Sequence, residues 1–310
     1  MGKYDVQYAE MVNRIITEGI WDKGQDVRTV WVSDGTPAYT KSLVSHNIKL
    51  DNSEVPLLTT KYVPVISSIL ELLWFYVERT SDATFLRENG VKYWDDWIRE
   101  DGTIGKAYGY QLGKPILGTP QNDPYYSMIN TAHWNQVEKL LYELSNNPAS
   151  RRHIISLWNI DDLWDMALPP CMWNHQCIVL DGKLHMVVQI RSNDTALGNP
   201  VNVFQMYVWQ RMLCQITGLE MGTLEFNINI PHIYERHITD IQKQVQRVAF
   251  TPPKLWINPA IKKLDDFTIN DFLLVSPDIP EDFIKSATRE EIEKYKYYKH
   301  QDKIYYEIAK

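Results

Sequence analysis

Cysteine is scarce in this 310-residue sequence, which holds three, at positions 171, 177 and 214. An odd count without a paired spacing argues against a disulfide framework and for a reducing interior compartment. No apolar run reaches the roughly 18 residues that a membrane span needs, and the opening Met1-Gly2-Lys3-Tyr4-Asp5 has no apolar signal core. Basic residues are in deficit: the net charge of −7 gives no general attraction to a phosphate backbone. Cys171, His175 and Cys177 have no second C-x-x-C or H-x-x-x-H set with which to complete a metal site. Repeats, linkers and low-complexity tracts are absent. The expectation is a cytoplasmic protein that binds neither membrane nor nucleic acid and holds no metal.

What is present is a core. With 44% hydrophobic and 23% charged residues, the chain can bury a full core as one large domain or two small ones; with no linker to divide it, the expectation is a single domain spanning 1–310. The pattern predicts helices over 4–18, 63–77 and 132–145, strands over 27–32, 41–50 and 152–158, and a hairpin of 176–180 with 183–190 around Asp181-Gly182. A buried helix over 200–217, closed by Gly218, is followed by a strand over 224–230 and a further helix within 231–248. Strands in blocks, with helices not strictly alternating, indicate an α+β fold with a mostly antiparallel or mixed sheet. Ser276-Pro277 breaks the chain, and Thr288 with Glu291 reads as a capping box, so 276–297 reads as an insertion before a last strand at 303–308.

Chemistry concentrates at Pro169-Pro170-Cys171 and, after the hairpin, Arg191-Ser192-Asn193-Asp194. A thiolate is the reactive form of cysteine, and a neighbouring guanidinium is expected to lower the thiol pKa toward neutrality. The two prolines stiffen the backbone ahead of the sulfur. Glu71 is the single acid in an apolar helix, where burial raises a carboxyl pKa and suits it to proton transfer. Taken alone, each feature also fits a structural role: a buried cysteine, an internally satisfied acid, a solvated Arg151-Arg152 pair.

In company they resemble the thymidylate synthase family. The blocks that carry the resemblance include Pro56-Leu57-Leu58-Thr59-Thr60-Lys61, Glu71-Leu72-Leu73-Trp74, Trp94-Asp95-Asp96-Trp97, Gly105-Lys106-Ala107-Tyr108-Gly109, Met166-Ala167-Leu168-Pro169-Pro170-Cys171, Arg191-Ser192-Asn193-Asp194, Leu197-Gly198-Asn199-Pro200-Val201-Asn202 and His232-Ile233-Tyr234. The resemblance implies that family's fold, a homodimer formed through the sheet, and transfer of a one-carbon unit from 5,10-methylenetetrahydrofolate to C5 of dUMP. Cys171 matches the nucleophile, with Glu71, Tyr108, Asp194 and Arg191 as catalytic partners. Arg28, Arg191 and Ser192 match the phosphate site, completed by Arg151 and Arg152 from the partner subunit, while His232 and Tyr234 match the pair on the ribose. Asn202 offers a donor and an acceptor that fit uracil, which favours dUMP over dCMP. Lys61, Tyr93, Trp94, Trp97, Leu168, Asp194, Gly198 and Lys310 fall on the folate side.

Departures from the family pattern gather on that folate side. Tyr93 stands for a small aliphatic residue, Tyr62 for a second basic one, Asn229-Ile230 for Gly-Asp, and Lys310 for a terminal Val or Ile. Because hydride from the folate would yield a methyl product and water a hydroxymethyl one, these changes tilt the expectation slightly toward a dUMP hydroxymethylase. Ordinary thymidylate formation is the alternative, and a silent nucleotide-binding relative a remote one, since Cys171, Glu71 and Asn202 are all present.

Overall fold

The computed structural model describes residues 2–116 and 134–310. Helix α1 (Lys3–Glu18) places Tyr4, Tyr8, Met11, Val12 and Ile15 on one buried face, the i, i+4, i+7 spacing of an amphipathic helix. Short strands β1 (Ile20–Trp21) and β2 (Thr40–Ser42) precede β3 (His46–Leu50). The strand expected over 41–50 is thus two strands in different sheets, broken by Leu43–Ser45. The one expected over 27–32 makes only isolated bridges, Val30 to Pro37 and Trp31 to Ala309.

Helix α2 (Val65–Leu73) continues into a single π-helical turn, Trp74–Glu78, which ends where Arg79 turns left-handed at φ 52°. After the short helices α3 (Thr84–Glu88) and α4 (Gly109–Gly113), α5 (Gln136–Asn146) starts at a capping box between Asn135 and Glu138. Residues 132–133 of the helix expected over 132–145 lie outside the described residues, and the cap at Asn135 fixes the start later.

Strands β4 (Ile154–Ser156), β5 (Met172–Leu180), β6 (Lys183–Ile190), β7 (Asn193–Asp194), β8 (Glu220–Ile228) and β9 (Pro231–Tyr234) follow, with α6 (Gly198–Thr217) between β7 and β8. The β5–β6 hairpin turns at Asp181 and Gly182, at φ 49° and 70°, the two positive values that the tight turn requires. Five strands form the main sheet in the order β3-β8-β6-β5-β4, antiparallel except where β6 runs parallel to β8. A four-stranded sheet, β1-β2-β9-β7, brings residues 193–194 beside 231–232. Helix α6 carries thirteen buried residues along its length and closes at Gly218, φ 75°.

The helix expected within 231–248 is α7 (Ile238–Val245); ahead of it Pro231 and the alternating His232, Ile233 and Tyr234 pair with β2 and β7 as β9. Strands β10 (Lys254–Ile257) and β11 (Phe272–Val275) form a hairpin. Helices α8 (Glu281–Ser286) and α9 (Arg289–Glu293) fold over it, sealing Trp256, Leu273, Val275, Ile279, Ile284 and Ile292 in a small cluster of their own. Thr288 and Glu291 form the expected capping box. No strand forms over 303–308; that stretch is held by side chains and by pairing of Ala309 and Lys310 with residues 30–31.

Candidate active site

Cys171 sits at the mouth of β5, immediately before a register shift between Met172 and Asn174 on the pairing with β6. Irregular pairing of this kind is common beside reactive groups. Arg191, one residue beyond the end of β6, donates its backbone N–H to the Cys171 carbonyl at 2.9 Å. Its guanidinium is held by two backbone carbonyls, Nε on Pro170 at 3.0 Å and Nη2 on Pro169 at 2.9 Å, and Nη2 lies 4.0 Å from Cys171 Sγ.

Burial pushes the Cys171 thiol above its ordinary value, opposed by the charges of Arg191 and Arg28 and reinforced by Asp194. This corrects the expectation that the guanidinium would bring the thiol down toward neutrality. Arg191 is committed to the proline carbonyls, and desolvation of the sulfur outweighs its attraction.

Tyr108 closes the cysteine from the other side. Its hydroxyl accepts the Cys171 backbone N–H at 3.0 Å, and its ring stacks on Phe75 at 4.6 Å with 9° between planes. The residue sits at φ 41°, a conformation that side chains rarely adopt, and the next position tolerates no side chain: a Cβ on Gly109 would lie 2.1 Å from the Thr80 carbonyl oxygen.

Glu71, on the last turn of α2, is fully enclosed. Its two carboxylate oxygens accept from Trp94 Nε1 and Gln205 Nε2, and Gln205 also donates to the Ser68 carbonyl at 2.9 Å. Burial raises its carboxyl pKa, while the bonds from Gln205, Trp94 and Tyr93 hold it partly down. Gln205 carries no family assignment in the sequence; its signal was a polar residue one turn beyond Asn202 on an otherwise apolar helix.

On the neighbouring sheet, His232 and Tyr234 alternate onto one face of β9 with their rings 5.4 Å apart. Burial pushes the Tyr234 phenol up to about 12, with Asp194 adding to the shift and Thr29 and Arg28 opposing it. Asp194 folds back to accept the backbone N–H of Ala196 at 2.8 Å and of Leu197 at 3.1 Å, which fixes the start of α6 and with it Gly198 and Asn202. Arg28 is exposed and Ser192 half-buried. Arg151 and Arg152 are exposed just before β4, at the edge of the main sheet, and no acid pairs with either among the described residues.

The residues read as folate-facing divide in two. Tyr93 is exposed, and Trp97 and Leu168 are half-buried. Lys61 and Trp94 are placed inward: Lys61 Nζ donates to the Ala196 carbonyl 5.1 Å from the Tyr306 ring centre, burial lowers its pKa to about 8, and Trp94 is the indole that bonds Glu71. Lys310 forms an ion pair with Asp96, and its backbone pairs in both directions with Val30, at 2.7 and 2.9 Å. An aromatic cluster thus stands beside the cysteine, running from Tyr108 to Phe75 and Trp94 and on to Trp97.

The chain matches the Thymidylate synthase family profile over residues 6–287. It is 47% identical over 309 residues to thymidylate synthase 1 of Bacillus subtilis strain 168, covering 100% of both chains. The protein belongs to the thymidylate synthase family. The thymidylate synthase of Bacillus phage phi3T is likewise 47% identical over 309 residues. The fold is similar to the thermostable thymidylate synthase A from Bacillus subtilis, with a TM-score of 0.86, 46% identity, and coverage of 99% of this chain and 100% of that one. Membership makes the protein an enzyme of one-carbon transfer with methylenetetrahydrofolate as cosubstrate. No helix among the described residues is long and apolar enough to cross a membrane.

Proposed function

We propose that the protein converts dUMP to dTMP, with Cys171 adding to C6 of the pyrimidine. The observation that carries this reading is the Cys171–Arg191 pair, a thiol at the entrance of β5 with a guanidinium nitrogen 4.0 Å from its sulfur. A uracil ring is not nucleophilic at C5 until a thiolate has added at C6, which places the displaced electron pair on the ring and its O4. Methylenetetrahydrofolate, once bound, would supply the one-carbon unit and then a hydride. Glu71, whose carboxyl pKa is raised by burial, exchanges a proton at the pyrimidine carbonyl side. Tyr108, with its hydroxyl on the Cys171 backbone, faces the reacting edge of the ring and assists loss of the C5 proton. Elimination of the thiolate releases the product.

Arg28, Arg191 and Ser192 grip the nucleotide phosphate, and His232 and Tyr234 grip the ribose. Arg151 and Arg152, unpaired by acids on their own protomer among the described residues, reach the phosphate of a partner subunit in a homodimer formed through the main sheet.

The slight lean toward a hydroxymethyl product gives way to the ordinary reaction. Relatives matched along the full length are named thymidylate synthase. The segment whose looseness would admit water is also fastened: the backbone of Lys310 pairs with Val30, Arg236 binds Glu307 at 2.9 Å, and the Glu307 carbonyl meets His237 Nε2 at 2.6 Å. Mass spectrometry of the nucleotide formed from dUMP and methylenetetrahydrofolate, with absorbance monitoring of dihydrofolate, tests the reading. A methyl product with stoichiometric dihydrofolate is expected, and a hydroxymethyl product without it would refute it.

A further inference from the structure

Asn202 does not stand alone. Its Oδ1 accepts from Asn193 Nδ2 at 3.1 Å, Asn193 Oδ1 accepts from Asn199 Nδ2 at 2.6 Å, and Asn199 Oδ1 accepts from the Tyr4 hydroxyl at 2.8 Å. Tyr4, Asn193 and Asn199 are buried, and the relay runs from helix α1 through β7 to the first turn of α6.

Each primary amide in such a chain can be turned end for end, but only if its neighbours turn with it. The direction of the whole relay is therefore set at its end. The Tyr4 hydroxyl has a single proton, and Asn199 Oδ1 is its only hydrogen-bonding partner among the described residues. Reversing the amides would point Asn199 Nδ2 at Tyr4 and leave the phenol proton buried without an acceptor. Burial also holds the Tyr4 phenol well above its usual range, so the proton stays in place.

We infer that Tyr4, through Asn199 and Asn193, fixes the orientation of the Asn202 amide and so serves as a remote positioning residue for the choice of uracil over cytosine. The inference rests on the reading that Asn202 meets the base. In the observed direction Asn202 turns Oδ1 toward Asn193, keeps a second lone pair on that oxygen for a ring N3–H, and leaves Nδ2 free to donate to a ring carbonyl. That is the pattern of uracil. In the reversed direction Nδ2 would face Asn193 and ring N3, leaving Oδ1 to accept from an exocyclic amine, the pattern of cytosine.

Tyr8 supplies a matched control. It lies one turn along the same helix, is equally buried, and donates its hydroxyl to the Thr195 carbonyl at 2.9 Å, off the relay. The test is calorimetric titration of dUMP and dCMP into the full-length protein and its variants, with melting curves to establish folding. Tyr4→Phe should lower the ratio of dUMP to dCMP affinity about tenfold, the equivalent of one lost buried hydrogen bond. Asn199→Leu, which cuts the relay at the link after Tyr4 and leaves the sequence of α1 unchanged, should do the same and carries the test if Tyr4→Phe does not fold. Tyr8→Phe should leave the ratio at the wild-type value. An unchanged ratio in both folded relay variants, or an equal fall in Tyr8→Phe, would overturn the inference. If instead Asn202→Asp itself leaves the ratio unchanged, the reading of Asn202 as the base contact has failed, a result distinct from failure of the relay alone.

Discussion

Arg191 reaches Cys171 twice, through a backbone N–H on the cysteine carbonyl at 2.9 Å and through a guanidinium nitrogen 4.0 Å from its sulfur. The same guanidinium is clamped on the carbonyls of Pro169 and Pro170, so the charge cannot leave the thiol without breaking two hydrogen bonds. A lysine has neither the planar fork nor the second donor in register. Arg191→Lys should therefore raise the thiol pKa further and cut kcat/KM by about a hundredfold or more. The rate of Cys171 alkylation by iodoacetamide as a function of pH checks this: its midpoint should move up in the variant, and an unmoved midpoint would show that Arg191 does not stabilise the thiolate.

Gln205 gives Glu71 one of its stabilising hydrogen bonds. Donors to a carboxylate favour the charged form, so their loss raises the pKa. Gln205→Leu should shift the limb of the kcat against pH profile that belongs to Glu71 upward, while Glu71→Gln should remove that limb and lower kcat by roughly 10²- to 10⁴-fold. Limbs that stay in place in Gln205→Leu would contradict the assignment.

His175 lies on β5 facing inward beside Tyr76 and Trp209, and burial lowers its pKa to about 3. Unfolded, it titrates near 6.5. Between those values the unfolded chain binds the extra proton, so stability from this group is intact above about pH 6.5 and falls as pH drops toward 3. The loss approaches about 4 kcal/mol at the acid end. His175→Phe should flatten the decline of melting temperature between pH 7 and pH 4; parallel declines in the two proteins would refute it.

Arg236 links three segments, pairing with Asp34 at 2.7 Å and Glu307 at 2.9 Å while packing 4.7 Å from the Trp31 ring centre. It is the main side-chain fastening of residues 304–310 over the loop at 31–36. Arg236→Ala should loosen that cover and let water compete with hydride, so that part of the product carries a hydroxymethyl group. Product mass spectrometry measures the fraction directly, and an unchanged methyl product would place the exclusion of water elsewhere.

Much of this arrangement was legible in the chain. The Asp181-Gly182 turn, the closure of α6 at Gly218 and the capping box at Thr288 are local chemistry, written in adjacent residues and independent of what packs on them. The misread elements are those decided by distant partners. Val27–Val32 has strand composition but forms only isolated bridges, Val30 to Pro37 and Trp31 to Ala309, and Pro231–Tyr234 pairs as a strand because β2 and β7 flank it. At the site, reactive residues stood out by motif and family resemblance, whereas their supports did not. Gln205, Asn199 and Tyr4 matter through contacts 134 to 195 residues away in sequence, which no local pattern encodes. The thiol pKa also escaped, since desolvation depends on what surrounds the sulfur in three dimensions.

The most direct measurement is the identity of the residue that bonds the pyrimidine. With 5-fluoro-dUMP the C5 substituent cannot depart as a proton does, so an adduct formed after one-carbon transfer stays on the protein. Peptide mass spectrometry of the enzyme incubated with that nucleotide and methylenetetrahydrofolate should place the nucleotide and folate on Cys171, with none on the Cys171→Ser variant. A trapped adduct on Cys177 or Cys214, or turnover of dUMP by Cys171→Ser at the wild-type rate, would contradict it.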